Sequence, residues 1–299
     1  MFRTITTATG IVLLSLFCTS AARAVIAPTD IQAWYGLNGD ALDNSANGYH
    51  GVNNGASFAS DPVRGLVGAF NGTTSSVDIS ASGYSITESP NLHFATSFWI
   101  KPTARDDRTP GGAIDFNTIM GANTGGGVIE IVGEGSWPGM GSVNGSIGVN
   151  SGGGAGSVAI VPTIDLYDGN WHHVLMQWVD PDGSVAGGTG ADATIYVDGV
   201  LATDSNSQTY NGNGGAAPTM VLGGPVVGSQ GGPADDYYQG LLSDVIFYNR
   251  QLMPGEVSEA MALSAAGPVI PEPSTLVLAA LALLGLAFHG LRRRRPTIG

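Results

Sequence analysis

Cysteine and positive charge are what this 299-residue chain lacks most. Its one cysteine, Cys18, lies in an N-terminal apolar run, so the chain beyond that run has neither a disulfide framework nor a thiolate metal or redox site. Lys and Arg number 11 against 24 Asp and Glu. Six of those bases, Arg3, Arg23 and Arg292 to Arg295, flank terminal apolar runs. Between Val25 and Ile270 only Arg64, Lys101, Arg105, Arg108 and Arg250 face 23 acids, a charge of −18. Such a surface repels DNA, RNA and anionic lipid, and no nucleic-acid partner is expected. Lys101 is the sole lysine, so none of the glycine tracts among 46 glycines is a G-x-x-x-x-G-K-[ST] phosphate loop. Apolar residues are not scarce. At 43% of the chain they supply a sizeable core and exclude a solvated acidic coil.

Both termini carry export signals. In residues 1–24, Arg3 precedes the run Ile11 to Cys18, and Ala22-Arg23-Ala24 has the small-x-small form of a cleavage site. A signal peptide cleaved after Ala24 is expected, since the run is too short to span a bilayer. Phe17 stands where a lipoprotein signal needs a small residue, which argues against acylation of Cys18. At the other end, residues 268–299 contain Pro271-Glu272-Pro273, an apolar run from Leu276 to Leu291, and Arg292-Arg293-Arg294-Arg295. Sixteen helical residues reach roughly 24 Å against a hydrocarbon core of ~30 Å, a marginal transmembrane helix whose arginines snorkel and stay cytoplasmic. Everything before Pro271 is then outside. This segment resembles the PEP-CTERM sorting signal of Gram-negative bacteria. The resemblance implies recognition by an exosortase, cutting near the Pro-Glu-Pro triplet, transient anchoring in the inner membrane, and delivery to the cell envelope, surface or exopolysaccharide matrix. An ordinary C-terminal anchor is the alternative.

Residues 25–267 remain as one domain of 243 residues. Ten short runs rich in β-branched and aromatic residues, from Val67–Phe70 to Leu241–Tyr248, alternate with glycine clusters. They predict an all-β, two-sheet antiparallel sandwich. Asp198-Gly199 between Thr194–Val197 and Val200–Ala202 predicts a hairpin with a type I′ turn. One helix is expected over Pro254–Ala265, with proline at its first position and Glu256 reaching back to bare amides.

Four segments in order resemble the laminin-G-like, concanavalin A-like lectin/glucanase superfamily across nearly all of residues 30–264. They are Trp34–Gly39 with Asp43–Gly51; Ala69–Gly72 with Ser97–Pro102; Tyr167–Val174 with Ile195–Gly199; and Tyr238–Arg250. The resemblance implies a jelly roll and leaves activity open, because the superfamily holds lectins, adhesion modules, glycosidases and lyases. Many relatives hold calcium between the opening segment and the last strand. Asp244 matches the last-strand ligand, and Asp43 and Asn47 lie in the facing turn. An Asx-turn at Asp43 and a solvated Asp244 are the competing reading.

Hydrolytic relatives carry two glutamates flanking an aspartate, with about 5–5.5 Å between the two catalytic carboxyls. Only Glu130-Ile131-Val132-Gly133-Glu134 approaches that pattern, and Val132 replaces the central acid. His172 and His173 point to opposite faces of a strand and cannot converge on one ion, so they are expected to be structural, hydrogen-bonded within the sheet. Sugar recognition needs exposed rings. Trp34, Trp99, Trp171 and Trp178 are assigned to the core as strand residues. Trp137, in a glycine-rich segment, is the candidate platform, with Tyr210, Tyr237 and Tyr238 secondary. The expected function is that of a non-catalytic surface or matrix protein binding carbohydrate. A purely structural or adhesive protein binding protein partners, and a glycosidase or lyase, are the alternatives.

Overall fold

The computed structural model describes residues 25–82, 94–103, 118–123, 128–132, 136–137, 141–142, 147–151, 157–160, 164–179, 192–202, 219–224 and 237–263. Seventeen strands lie in them: β1 (Ile31–Tyr35), β2 (Val52–Asn54), β3 (Ser57–Asp61), β4 (Gly65–Asn71), β5 (Ser76–Asp78), β6 (Phe94–Pro102), β7 (Thr118–Asn123), β8 (Val128–Val132), β9 (Ser136–Trp137), β10 (Gly141–Ser142), β11 (Ile147–Ser151), β12 (Ser157–Ile160), β13 (His172–Val179), β14 (Asp192–Val197), β15 (Val200–Leu201), β16 (Thr219–Leu222) and β17 (Gln239–Tyr248). One sheet runs β15-β14-β13-β6-β17-β4-β3 with β1 also on β17, the facing sheet runs β12-β11-β8-β7-β16-β5-β2, and β9 and β10 form a separate two-stranded pair. The ladders are antiparallel, as a jelly-roll sandwich requires.

Period-2 alternation sorts the side chains of the larger sheet. Phe98, Ile100, Val174, Met176, Ile195, Val197, Leu242 and Phe247 face the other sheet, and there meet Val77, Ile147, Met220 and Leu222. The opposite face is not left to water. Trp34, Ala95, Leu175, Ile246 and Tyr248 form a second core under Leu252, Val257 and Ala260. The last two belong to the short helix α1 (Val257–Ala262), which follows a 3-10 turn at Pro254–Glu256. The helix ends three residues short of the expected Ala265, where Leu263 turns extended. Glu256 does reach back, accepting the Met253 amide at 2.8 Å, and it also pairs at 2.7 Å with Arg250, which holds Asp30 at 2.8 Å. The predicted hairpin is present between β14 and β15, with φ of 50° at Asp198 and 78° at Gly199. Among the described residues no helix is long and apolar enough to cross a membrane, and the run 276–291 lies outside them.

Candidate functional site

Strand β17 changes partners halfway. Its first half pairs with β4 (Gln239↔Asn71 to Leu242↔Gly68) and its second half with β1 (Val245↔Tyr35 to Tyr248↔Ile31), while β6 follows its other edge. At the changeover the β6 ladder slips, since Ser243 opposes Trp99 and Ile246 opposes Ser97. Asp244 occupies that bulge with φ of 50°, a left-handed conformation that costs a non-glycine residue energy and persists only where its surroundings enforce it. The enforcement is visible. Asp244 is buried, its Oδ1 accepts the Trp34 indole N–H at 3.3 Å, and its Oδ2 accepts the Ser243 hydroxyl at 2.8 Å and the Arg64 guanidinium.

Arg64 comes from the β3–β4 turn. Asp61 accepts the Val63 and Arg64 amides at 2.8 and 3.1 Å, which shapes that turn, and Lys101 approaches the same carboxyl at 3.5 Å. Burial raises the Asp61 pKa, but the Val63 amide, the Trp171 indole, the Arg64 amide and the Lys101 charge outweigh it and hold the carboxyl below its ordinary value. The Arg64 guanidinium carbon lies 4.2 Å from the centre of the Trp99 ring and 5.7 Å from that of Trp171. Both tryptophans are half-buried on the outer face of the larger sheet. Their assignment to the core is therefore corrected. Phe98 and Ile100 claim the inward parity of β6, which sends Trp99 and Lys101 outward.

The two histidines of β13 do face opposite ways. His172 is bracketed by Asp198 at 2.9 Å on Nδ1 and Asp168 at 3.0 Å on Nε2. Burial lowers its pKa, but the two carboxylates outweigh it and raise it above the usual value. Asp168, hydrogen-bonded by Asn170 through side chain and amide and by His172, falls to about 2. His173 backs onto Trp99 with ring centres 5.2 Å apart, and burial, helped by the Arg64 charge, pushes its pKa down to about 3. Neither of its ring nitrogens has a hydrogen-bond partner among the described residues, so the expectation of two hydrogen-bonded histidines holds for His172 alone.

Of the calcium candidates, Asp43 and Asp244 both bond Trp34, Asp43 at its amide and Asp244 at its indole. Asp43 is buried and accepts four hydrogen bonds, from the amides of Trp34, Ser45 and Tyr49 at 2.8 Å each and from the Ser45 hydroxyl at 2.7 Å. Asn47 turns its Nδ2 toward the carbonyls of Gln32 and Ile31, at 2.9 and 3.3 Å. Among the described residues no three His, Cys, Asp or Glu side chains gather to hold a metal. Asp43 forms an Asx-turn with Ser45, and Asp244 is ion-paired and buried where a solvated carboxylate was the alternative.

The ring candidates separate. Tyr238 is fully buried, its ring 6.0 Å from that of Phe70 and its hydroxyl donating to the Leu241 carbonyl at 3.0 Å, so it is a core residue and no platform. Tyr237, its neighbour of opposite parity, is half-buried with its ring lying on Gly224, where a Cβ would come within 2.8 Å of it. Trp137 stands on β9, which among the described residues pairs only with β10. Tyr210, Glu134, Pro271, Glu272, Pro273, Arg292, Arg293, Arg294 and Arg295 lie outside the described residues. Sequence reasoning missed Arg64 entirely. Its one local signal is the turn Asp61-Pro62-Val63-Arg64-Gly65, which sets a basic side chain at a hairpin end.

Comparison with known proteins agrees with this architecture. Residues 71–258 match the family of the concanavalin A-like lectin/glucanases superfamily, and residues 269–294 match the PEP-CTERM protein-sorting motif. No curated protein matches the chain. Domain 4 of AbnA, a GH43 extracellular arabinanase from Geobacillus stearothermophilus solved in complex with arabinotriose, is similar at 20% identity and a TM-score of 0.51, over 77% of this chain and 98% of that one. The binding domain of botulinum neurotoxin serotype D is similar at 14% identity and a TM-score of 0.51, over 79% of this chain and 52% of that one. The chain thus spans about half of the neurotoxin domain. Sheet order, family match and terminal motif agree: this chain belongs to the concanavalin A-like lectin/glucanases superfamily and bears a PEP-CTERM signal for export and sorting to the cell envelope.

Proposed function

We propose that the protein is a non-catalytic component of the cell surface or exopolysaccharide matrix that binds carbohydrate through its jelly roll. The observation that carries this reading is the outer-face cluster of Trp99, Arg64 and Trp171, where two half-buried indoles stand beside the Arg64 guanidinium held by Asp244 and near the Lys101 ammonium paired with Asp61. Saccharides are held by that combination, an apolar ring for the sugar face and preorganised polar groups for the hydroxyls. The arabinanase domain solved with arabinotriose has the same fold and is consistent with a glycan partner. The export signal supports processing by an exosortase after passage through the inner membrane of a Gram-negative host. Val132, standing between Glu130 and Glu134, argues against the hydrolytic alternative.

A glycan array, with a pull-down on the host's own exopolysaccharide, tests the reading. The wild-type protein should bind and Trp171→Ala should lose most of that binding. Trp137→Ala and Tyr237→Ala establish whether the remaining candidate rings belong to the same platform. Equal signal from wild type and all three variants would sink the proposal, and reducing-end release from a polysaccharide panel would revive the enzyme.

A further inference from the structure

Calcium between the opening turn and the last strand would need six to eight oxygen ligands. Two carboxylates offer about four acceptor positions each. Asp43 gives all four of its positions to the amides and hydroxyl of its own turn and strand, and Asp244 gives three to Trp34, Ser243 and Arg64. What stands at this seam in place of a metal is a guanidinium. Because β1 and β4 both pair with β17 and not with each other, the sheet has a gap in its ladder beside Asp244. Arg64, from the β3–β4 turn, and Trp34, from β1, reach the one carboxylate from the two sides of that gap.

We infer that Arg64 is the resident cation of this seam: the charge that a dissociable metal would supply is here covalently attached, and the fold is indifferent to calcium. Three features of the site fit an arginine. The guanidinium is planar and weakly hydrated, so it lies against the Trp99 and Trp171 rings as a strongly hydrated ion does not. Its head is nearly enclosed, with 13% of the side chain exposed against 4% for Asp244, so salt screens the pair little. The left-handed backbone of Asp244 aims its carboxylate at the turn that bears Arg64. None of this depends on whether the outer face binds a sugar.

Thermal unfolding of the full chain in mild detergent tests the inference. With millimolar calcium chloride or with EGTA at equal ionic strength, the wild-type midpoint should agree within about 1 °C. Arg64→Met keeps the side-chain length and removes the charge. Its midpoint should fall by roughly 10 °C, because the Asp244 carboxylate is left buried and unpaired. The double variant Arg64→Met/Asp244→Leu should regain part of that loss, since the charge conflict is gone. If Arg64→Met does not fold, Arg64→Lys serves, with a smaller fall and still no calcium response. A wild-type midpoint that rises with calcium, and loses the rise in Asp244→Asn, would overturn the inference. So would additive losses in the double variant, or in its absence Arg64→Lys unchanged from wild type. Glycan binding is not read in this experiment, so it fails or succeeds independently of the proposed function.

Discussion

Strand β13 carries two adjacent histidines, and its two faces treat them in opposite ways. On one face His172 bridges Asp168, in the turn before the strand, and Asp198, in the turn of the next hairpin, and both contacts favour its cation. On the other, His173 is sealed behind Trp99 and kept neutral by burial and by Arg64. The same kind of side chain is a hydrogen-bonded clasp at the rim, where two carboxylates draw it toward its cation, and an uncharged packing element one residue later. The difference is one of partners, since each was set by what the fold brought from elsewhere: position 198 for one, positions 64 and 99 for the other.

Replacing each histidine breaks the comparison from its own side. His172→Phe should show the largest effect, a loss of about 2 kcal/mol in urea unfolding at pH 6, as two charge-assisted hydrogen bonds go. Asp168 is 37% exposed, so most of the loss comes through Asp198, which also accepts the His173 amide at 2.9 Å. His173→Leu should change stability in the other direction, by about +1 kcal/mol at pH 7, because two unpartnered nitrogens leave the interior. No gain, or a loss comparable to that of His172→Phe, would show that His173 has a polar role.

The pH dependence sharpens the contrast further. A histidine whose folded pKa is raised contributes stability that is full below its unfolded pKa, about 6.5, and is lost as pH rises through the folded value. His172 therefore weakens the fold on the alkaline side. A histidine whose folded pKa drops to about 3 takes up its proton more readily when unfolded, so the stability it permits is full above about 6.5 and declines as pH falls toward 3. Urea midpoints across pH 3 to 8 should lose their alkaline slope in His172→Phe and part of their acid slope in His173→Leu. The smallest effect is expected for Asp168→Ala. At pH 7 it should cost less than His172→Phe, and the difference from wild type should close as pH falls from about 3.8 toward 2, where the wild-type carboxyl also takes up its proton.

Much of this fold was legible locally. The two-residue turn at Asp198-Gly199 needs positive φ at both positions and had residues that accept it. Glu256 lay three residues after Met253, within reach of its amide. The Asx geometry of Asp43 follows from Ser45 two residues on. The outer face was harder to read, because the larger sheet is apolar on both sides. Once two cores exist, an indole on a strand does not announce which of them it faces, and parity against Phe98 and Ile100 was the usable signal for Trp99. Tyr237 and Tyr238, just before β17, looked equivalent as a pair, and only Tyr238 reached the core while Tyr237 stayed half-buried. The pairing of Asp244 with Arg64 spans 180 residues, and nothing local to either one names the other.

The placement of β17 also governs when the fold can form. It is the last strand along the chain among the described residues, yet it sits inside the larger sheet with β1, β4 and β6 as its neighbours. Until it arrives, those three strands have no common partner and their sequence-distant contacts stay open, so closure is slow and comes late. A chain made from its N-terminus therefore keeps an incomplete sheet until β17 has been added. The strand that completes it ends at Tyr248, about twenty residues before the Pro-Glu-Pro triplet at Pro271, so the sorting signal emerges almost as the domain becomes able to lock.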